Sequence, residues 1–144
     1  MKPKVFIDSD IFLDVALERE AFFEASKGIL SLVENHIIGG NTSSLIVCNL
    51  HYIISKLENK GIATQFVSYI LDTMKILAVD RLDIEHSLSF QFRDFEDGIQ
   101  NSVSRRSKCD YIITRNTEDF KKSEIPVLLP TEFLTMITGK LQND

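Results

Sequence analysis

The chain has 144 residues, of which 44% are hydrophobic and 26% charged, and its formal net charge is −5 at pH 7. These values are ordinary for a folded protein and argue against intrinsic disorder, so we expect one domain spanning residues 1–144. The acidic balance argues against binding to nucleic acid through a broad basic surface, although carboxylates that hold divalent cations also count as negative charge.

No apolar stretch approaches the roughly 20 residues that a membrane span needs. The amino end, MKPKVFIDSD, reaches acidic residues instead of the apolar region of a signal peptide. We therefore expect a cytoplasmic protein without a membrane segment. Cys48 and Cys109 lie in apolar settings and lack C-x-x-C spacing, so both are predicted to be buried free thiols.

Apolar patterns along the first half of the chain predict two strands and three helices. In chain order these are a strand at 4–7, helices at 10–16 and 20–34, a strand within 36–42, and a helix from 43 or 44 to 56. Asp10 is a candidate cap for the first helix, and Ser43 or Ser44 for the third. Gly61 is expected to close that third helix, because glycine commonly ends helices.

The second half continues the alternation with four helices and three strands. In chain order these are a helix at 66–74, a strand at 76–79, helices along 84–92 and 95–103, strands at 111–113 and 127–129, and a closing helix at 132–138. Strands that alternate with helices predict a mostly parallel sheet, because parallel strands need crossover connections. The expected fold is a three-layer α/β/α sandwich around a sheet of about five strands.

Aspartates follow the first predicted strand and begin a later helix. Asp8 ends the strand and Asp10 follows it, and the functional sites of open α/β sheets lie beyond the carboxyl ends of strands. A cap for the next helix is an equally good interpretation of Asp10. Asp97 and Asp94 fall on one face of a predicted helix, opposite its apolar side chains. Asp94 and Glu96 also fit a structural role, because acidic residues stabilise a helix's first turn.

A third group of polar residues follows the predicted strand at 111–113. Asn116 and Asp119 have the spacing of a turn and a short helix. Thr114 and Asn116 are candidate hydrogen-bond donors that would orient Asp8 or a phosphate, and Arg115 is a candidate phosphate contact.

Two lysines, Lys121 and Lys122, come just past Asp119. They are candidate contacts to the backbone of a nucleic acid, and a solvated surface is the alternative interpretation.

Three segments carry a resemblance to a known family. In order and spacing, FIDSDIFLD, DFEDGIQ and DYIITRNTEDF resemble the motifs of the PIN domain family, which includes bacterial toxin ribonucleases similar to VapC. The resemblance runs from Lys4 to about Leu134. It implies a parallel sheet of about five strands flanked by helices.

The resemblance also implies a chemistry for the acidic residues. Asp8, Asp97 and Asp119 would bind Mg²⁺ or Mn²⁺ and hydrolyse phosphodiester bonds. Asp94 and Asp10, which lie close to them in the chain, are second-choice ligands. The implied substrate is RNA, with DNA as the alternative. The implied partners are an antitoxin protein and a second copy of the chain.

One position departs from the family pattern. The helix after the second strand should carry a glutamate, but the matching residue in TSSLIVCNLHYI is Asn49. An amide oxygen can coordinate a hard cation, yet the loss of one carboxylate lowers the charge of the site. The alternative is therefore a catalytically impaired PIN-like module that binds nucleic acid or protein.

A second enzyme class shares part of the opening motif. Asp8-Ser9-Asp10 after a strand also resembles the D-x-D of haloacid dehalogenase-like phosphatases, in which Asp8 would be a nucleophile. That family expects threonine or valine where this chain has Phe12. This is the remote alternative.

Overall fold

The computed structural model describes residues 2–90, 92 and 94–143, with Phe90 and Asn143 described by their backbone alone. Its helices are α1 (Ser9–Ala16), α2 (Phe23–Glu34), α3 (Ser44–Leu57), α4 (Lys60–Thr73), α5 (Arg81–Phe90), α6 (Phe95–Arg106) and α7 (Pro130–Asn143). Its strands are β1 (Lys4–Ile7), β2 (Gly39–Ser43), β3 (Lys75–Leu77), β4 (Tyr111–Ile113) and β5 (Val127–Leu128). A short 3₁₀ helix covers Thr117–Phe120.

The five strands form one sheet in the order β3-β2-β1-β4-β5, and every neighbouring pair is parallel. After β3 the chain returns across the sheet to β4, so right-handed crossovers place α5 and α6 on the face opposite α1 to α4. Helix contacts agree, because α2 packs on α1 and α7, α3 on α4, and α5 on α6. The predicted three-layer α/β/α fold is confirmed.

The central strand β1 is the most deeply buried part of the sheet. Val5, Phe6 and Ile7 have no exposed surface. Phe12 on α1 and Phe133 on α7 are also fully buried. Burial of such side chains stabilises the fold by roughly 1.5–3 kcal/mol each. The end of β1, where Asp8 lies, is therefore held by a well-packed core.

Two predicted helix ends are wrong. The cap of α1 is Asp8, whose carboxylate accepts from Ser9 N, so Asp10 lies inside the first turn. Gly61 does not close a helix, because Asn59 accepts from Ile62 N and begins α4 just before it. No glycine among the described residues has a positive φ, the conformation for which a closing glycine is selected. The predicted Ser43 cap of α3 is confirmed.

The buried face of α5 also differs from the prediction. Ile84 and Leu88 are exposed, whereas Asp83 and Ser87 are buried. Asp83 accepts from Arg106 and from Ser102 on α6, and this pairing offsets the cost of burying a carboxylate.

Smaller differences concern element ends and the cysteines. The helix predicted at 20–34 begins at Phe23, the strand predicted within 36–42 is Gly39–Ser43, and the helix predicted at 132–138 is Pro130–Asn143. Both cysteines are free as predicted, but Cys48 on α3 is exposed and only Cys109 is buried. No helix in the described ranges is long and apolar enough to cross a membrane.

Candidate active site

The site begins where β1 and β4 end side by side. Ile7 pairs with Ile113, so the next residues, Asp8 and Thr114, meet at the same edge of the sheet. The Thr114 hydroxyl donates to Asp8 Oδ2 at 2.8 Å, and Ser9 N donates to Asp8 Oδ1 at 2.8 Å. Both oxygens of this buried carboxylate are therefore fixed by the ends of two neighbouring strands.

Asp10 lies against the same threonine but is only half satisfied. Its Oδ2 accepts from Arg115 N at 2.9 Å and lies 3.2 Å from Thr114 Oγ1. The hydroxyl has one proton, so it cannot fully serve Asp8 and Asp10 together. Asp10 Oδ1 is buried and has no hydrogen-bond partner among the described residues. A buried carboxylate oxygen without a partner is costly unless a cation or a proton reaches it.

Asp14 is an acidic residue that the sequence analysis missed. It is fully buried and accepts a bidentate pair from Arg115, Nε to Oδ2 at 2.8 Å and NH2 to Oδ1 at 2.9 Å. Ser26 Oγ also donates to it, at 2.8 Å. The Arg115 guanidinium carbon lies 3.8 Å from the centre of the Phe22 ring. The structure therefore engages Arg115 with α1 and α2, while its predicted phosphate contact stays a prediction.

The start of α6 brings further acids to this edge. Asp94 caps the helix by accepting from Asp97 N at 3.1 Å. Asp97 is partly buried, whereas Asp94 and Glu96 are exposed. Asn49, from α3, donates through Nδ2 to Glu96 Oε2 at 3.2 Å. Asn49, the neutral residue where the family pattern has a glutamate, thus contacts Glu96 on another helix.

The carboxylates of this edge influence one another's protonation. Burial, and then repulsion from Asp10, raises the pKa of Asp8 to about 7, against the lowering effect of the Thr114 hydrogen bond. Repulsion from Asp119 adds to the rise. Burial also raises the pKa of Asp10.

The pKa of Asp97 is affected by the same group of acids. Burial raises its pKa to about 8, followed in order of size by repulsion from Asp8, Asp94, Asp119 and Asp10. Five aspartates, from the starts of α1 and α6 and from the 3₁₀ helix, therefore form one electrostatic cluster. We call Asp8, Asp10, Asp94, Asp97 and Asp119 the acidic cluster.

The remaining predicted site residues follow β4 in the chain. Asn116 donates from its backbone N to Thr114 Oγ1 at 3.1 Å, and its side chain makes no capping hydrogen bond to the 3₁₀ helix. Lys121 and Lys122 are exposed just after that helix.

The acidic cluster suits a hard divalent cation by its donor chemistry. All its donors are carboxylate oxygens, which Mg²⁺ and Mn²⁺ prefer, and one of them, Asp10 Oδ1, has no partner among the described residues. Within the described part of the chain, however, no three His, Cys, Asp or Glu side chains converge closely enough to hold one ion. The residues fit such an ion in chemistry and charge, and binding would have to draw them together.

Comparison with solved structures finds the same fold in three toxin systems. VapBC2 of Rickettsia felis, bound to a DNA fragment from its promoter, is 13% identical with a TM-score of 0.66, covering 88% of this chain and 98% of that one. A toxin–antitoxin complex of Klebsiella pneumoniae is 21% identical with a TM-score of 0.64, over 88% and 97%. VapC20 of Mycobacterium tuberculosis, a sarcin–ricin loop cleaving toxin, is 14% identical with a TM-score of 0.63, over 75% and 86%.

These identities are low, so the structural likeness concerns the fold alone. Comparison with curated proteins finds no match. The sequence profile of one family, described as PIN domain, matches residues 4–118, which is most of the chain and includes Asp8 and Asp97. The chain therefore belongs to the PIN domain family.

Proposed function

We propose that the protein is a metal-dependent endoribonuclease that hydrolyses phosphodiester bonds. The observation that carries the proposal is the acidic cluster, in which Asp8 and Asp97 have raised pKa values and Asp10 Oδ1 has no hydrogen-bond partner in the part of the chain that the structure describes. Crowded carboxylates either hold protons or take up a cation. A group of this kind at the carboxyl end of a parallel sheet, in a PIN domain, supports nuclease chemistry.

The proposed ligands of Mg²⁺ or Mn²⁺ are Asp8, Asp97 and Asp119, with Asp94 as a further candidate. When bound, the ion supplies the positive charge that acidifies water and stabilises the phosphate being cleaved. The Thr114 hydroxyl keeps the Asp8 carboxylate oriented. The Arg115 backbone N–H does the same for Asp10.

The basic residues near the acidic cluster are the proposed substrate contacts. Lys121 and Lys122 follow Asp119 on the exposed surface, where they could meet the backbone of a nucleic acid. Arg115 already carries two hydrogen bonds to Asp14, so it has fewer donors left for a phosphate. RNA is the proposed substrate, with DNA as the alternative.

A toxin–antitoxin role is part of the proposal. The similar structures include VapBC2, the Klebsiella complex and VapC20, the toxin that cleaves the sarcin–ricin loop. An antitoxin that covers the acidic cluster is the proposed partner of this chain. A homodimer and a cytoplasmic location remain predictions from the sequence.

A catalytically impaired PIN-like module that binds nucleic acid or protein is the second candidate. Asn49 favours it, because the amide removes one expected carboxylate, and so does the absence of three converged ligands among the described residues. The match to the PIN domain profile favours both candidates over the phosphatase.

The deciding experiment is cleavage of mixed structured and single-stranded RNAs with Mn²⁺, with Mg²⁺ and with EDTA. Asp8→Asn removes a proposed ligand, and Asp72→Asn is the matched control, because Asp72 is exposed near the end of α4. Cleavage that needs metal and is lost only in Asp8→Asn supports the nuclease. RNA binding without cleavage under any condition supports the impaired module.

A further inference from the structure

The contact between Asn49 and Glu96 joins two helices that are far apart in sequence. Asn49 lies in the second turn of α3, and its Nδ2 donates to Glu96 Oε2 in the first turn of α6 at 3.2 Å. The partner of the carboxylate is neutral, so the hydrogen bond orients the charge of Glu96 without cancelling it. The structure thus holds an extra negative charge at the α3 side of the start of α6.

Glu96 is close in the chain to two members of the acidic cluster. Asp97 follows it directly, and Asp94 caps the same helix turn. Glu96 is exposed and has one more side-chain carbon than aspartate. The Glu96 carboxylate therefore has more rotatable side-chain bonds than the carboxylates of the aspartates beside it.

A second, independent observation is an unsatisfied carboxylate oxygen within the acidic cluster. Asp10 is 7% exposed, its Oδ2 is held by Arg115 N, and its Oδ1 is buried without a hydrogen-bond partner in the described part of the chain. An oxygen in this state is satisfied by a cation at the cluster or by a proton. The number of acids that reach the cluster then sets how strongly a cation is held.

We infer that Glu96 supplies the carboxylate that Asn49 does not, so that the fourth acid of the cation site is carried by α6 instead of α3. The Asn49 amide supports this arrangement, because it donates a hydrogen bond to Glu96, the acid that takes the place of the glutamate expected at position 49. A glutamate at position 49 beside Glu96 would bring two like charges to hydrogen-bonding distance, which is unfavourable. This inference rests on the proposed metal-dependent function.

The test measures Mn²⁺ binding without RNA, by calorimetry, and Mn²⁺-dependent RNA cleavage in parallel. The variants are Glu96→Gln, Asn49→Glu/Glu96→Gln and the control Glu132→Gln. Glu132 is likewise an exposed acid in the first turn of a helix, where it accepts from Leu129 N at 2.8 Å. This control shows how much the loss of one negative charge and one hydrogen bond at a helix start changes Mn²⁺ binding by itself.

We expect Glu96→Gln to weaken Mn²⁺ binding by about tenfold, the size typical for residues that support a metal site. The double variant should return to within about threefold of the wild type, because the acid is moved from α6 to α3. Glu132→Gln should bind Mn²⁺ as the wild type does. Cleavage should follow the same order.

Three results would overturn the inference. Wild-type Mn²⁺ affinity in Glu96→Gln would show that Glu96 only stabilises the helix, and metal-dependent cleavage lost in Asp8→Asn would then leave the proposed function standing. Weak binding that Asn49→Glu does not restore would rule out the exchange of positions. Absence of Mn²⁺ binding by the wild type would remove both the inference and the proposed function.

Discussion

The protonation of Asp97 makes a prediction about stability as a function of pH. Its pKa rises from 3.8 to about 8 on folding, so between these values the folded state holds a proton that the unfolded state has lost. Stability from this group is complete below about pH 4 and is lost as the pH rises through about 8. Asp97→Asn keeps the shape of the side chain but cannot ionise.

We therefore expect Asp97→Asn, in EDTA, to exceed the wild type in stability by more near pH 9 than near pH 5, and the two differences should be apart by on the order of 1 kcal/mol after allowing for solvent screening. Thermal unfolding of Asp97→Asn and of the wild type at the two pH values measures this difference in stability. Asp72→Asn, which removes an exposed carboxylate near the end of α4, is the control. The same Asp97→Asn protein should lose Mn²⁺-dependent cleavage, and undiminished cleavage by the folded variant would remove Asp97 from the site.

The Asp14–Arg115 pair makes a second prediction at the scale of residues. Arg115→Met would leave a fully buried carboxylate with Ser26 as a hydrogen-bond donor and Arg19 at 3.6 Å. Breaking a buried pair from one side costs about 3–5 kcal/mol, whereas replacing both partners by apolar side chains is often neutral. Urea unfolding should therefore show a large loss in Arg115→Met and partial recovery in Asp14→Leu/Arg115→Met. An equal loss in both variants would contradict this account.

The sequence revealed some of these residues and concealed others for a physical reason. Asp8 was predicted to lie at the site because it directly follows a buried strand. Asp14 was missed because its partner, Arg115, is 101 positions away, and no local pattern marks a buried ion pair. The contact between Asn49 and Glu96 was missed for the same reason, since it joins two helices whose residues lie 47 positions apart in the sequence.

At the scale of elements, the close packing of α5 on α6 sets the position of the helix that carries Asp97. A Cβ at Gly98 would lie 2.2 Å from Ser87 Oγ and 3.0 Å from Ser87 Cβ. Ser87 Oγ also donates to Phe95 O at 2.6 Å, which ties α5 to the first turn of α6. A larger residue than glycine therefore requires the Ser87 hydroxyl to give up this hydrogen bond or the two helices to move apart.

Gly98→Ala should destabilise the protein by about 1–3 kcal/mol, the usual cost of overpacking. The control is Gly139→Ala in α7, where an added Cβ meets no atom within 4 Å. That change should stabilise by about 0.5–1 kcal/mol, because alanine favours a helix interior. Thermal unfolding of both variants gives opposite signs, and a neutral Gly98→Ala would contradict the proposed helix packing.

Helices and strands could be predicted from the sequence where the side chains that they bury are apolar. The strands β1 and β4 were predicted with their exact residues because each is a short apolar run. The buried face of α5 was not, because Asp83 is buried through its pairing with Arg106 and Ser102 and so breaks the apolar pattern. The boundary between α3 and α4 was predicted wrongly because Asn59 caps α4, so that Gly61 lies inside α4 and does not close α3.

For the whole molecule, the net charge of −5 and the local concentration of aspartates both make the binding of cations more favourable. The acidic cluster adds specificity through its position at the edge of the sheet. Because a cation should bind the folded chain far better than the unfolded chain, metal binding and stability are coupled.

This coupling predicts that Mn²⁺ raises the unfolding temperature in a pH-dependent way. At a free Mn²⁺ concentration about 100 times Kd, the folded state gains about 2.7 kcal/mol, which corresponds to a rise of several degrees. Binding requires ionised carboxylates, and the pKa values of Asp8 and Asp97 are about 7 and about 8. The rise should therefore be small near pH 5, grow towards pH 8 and vanish in EDTA. Asp8→Asn should abolish most of it, and an equal rise at both pH values would show that Mn²⁺ binds elsewhere.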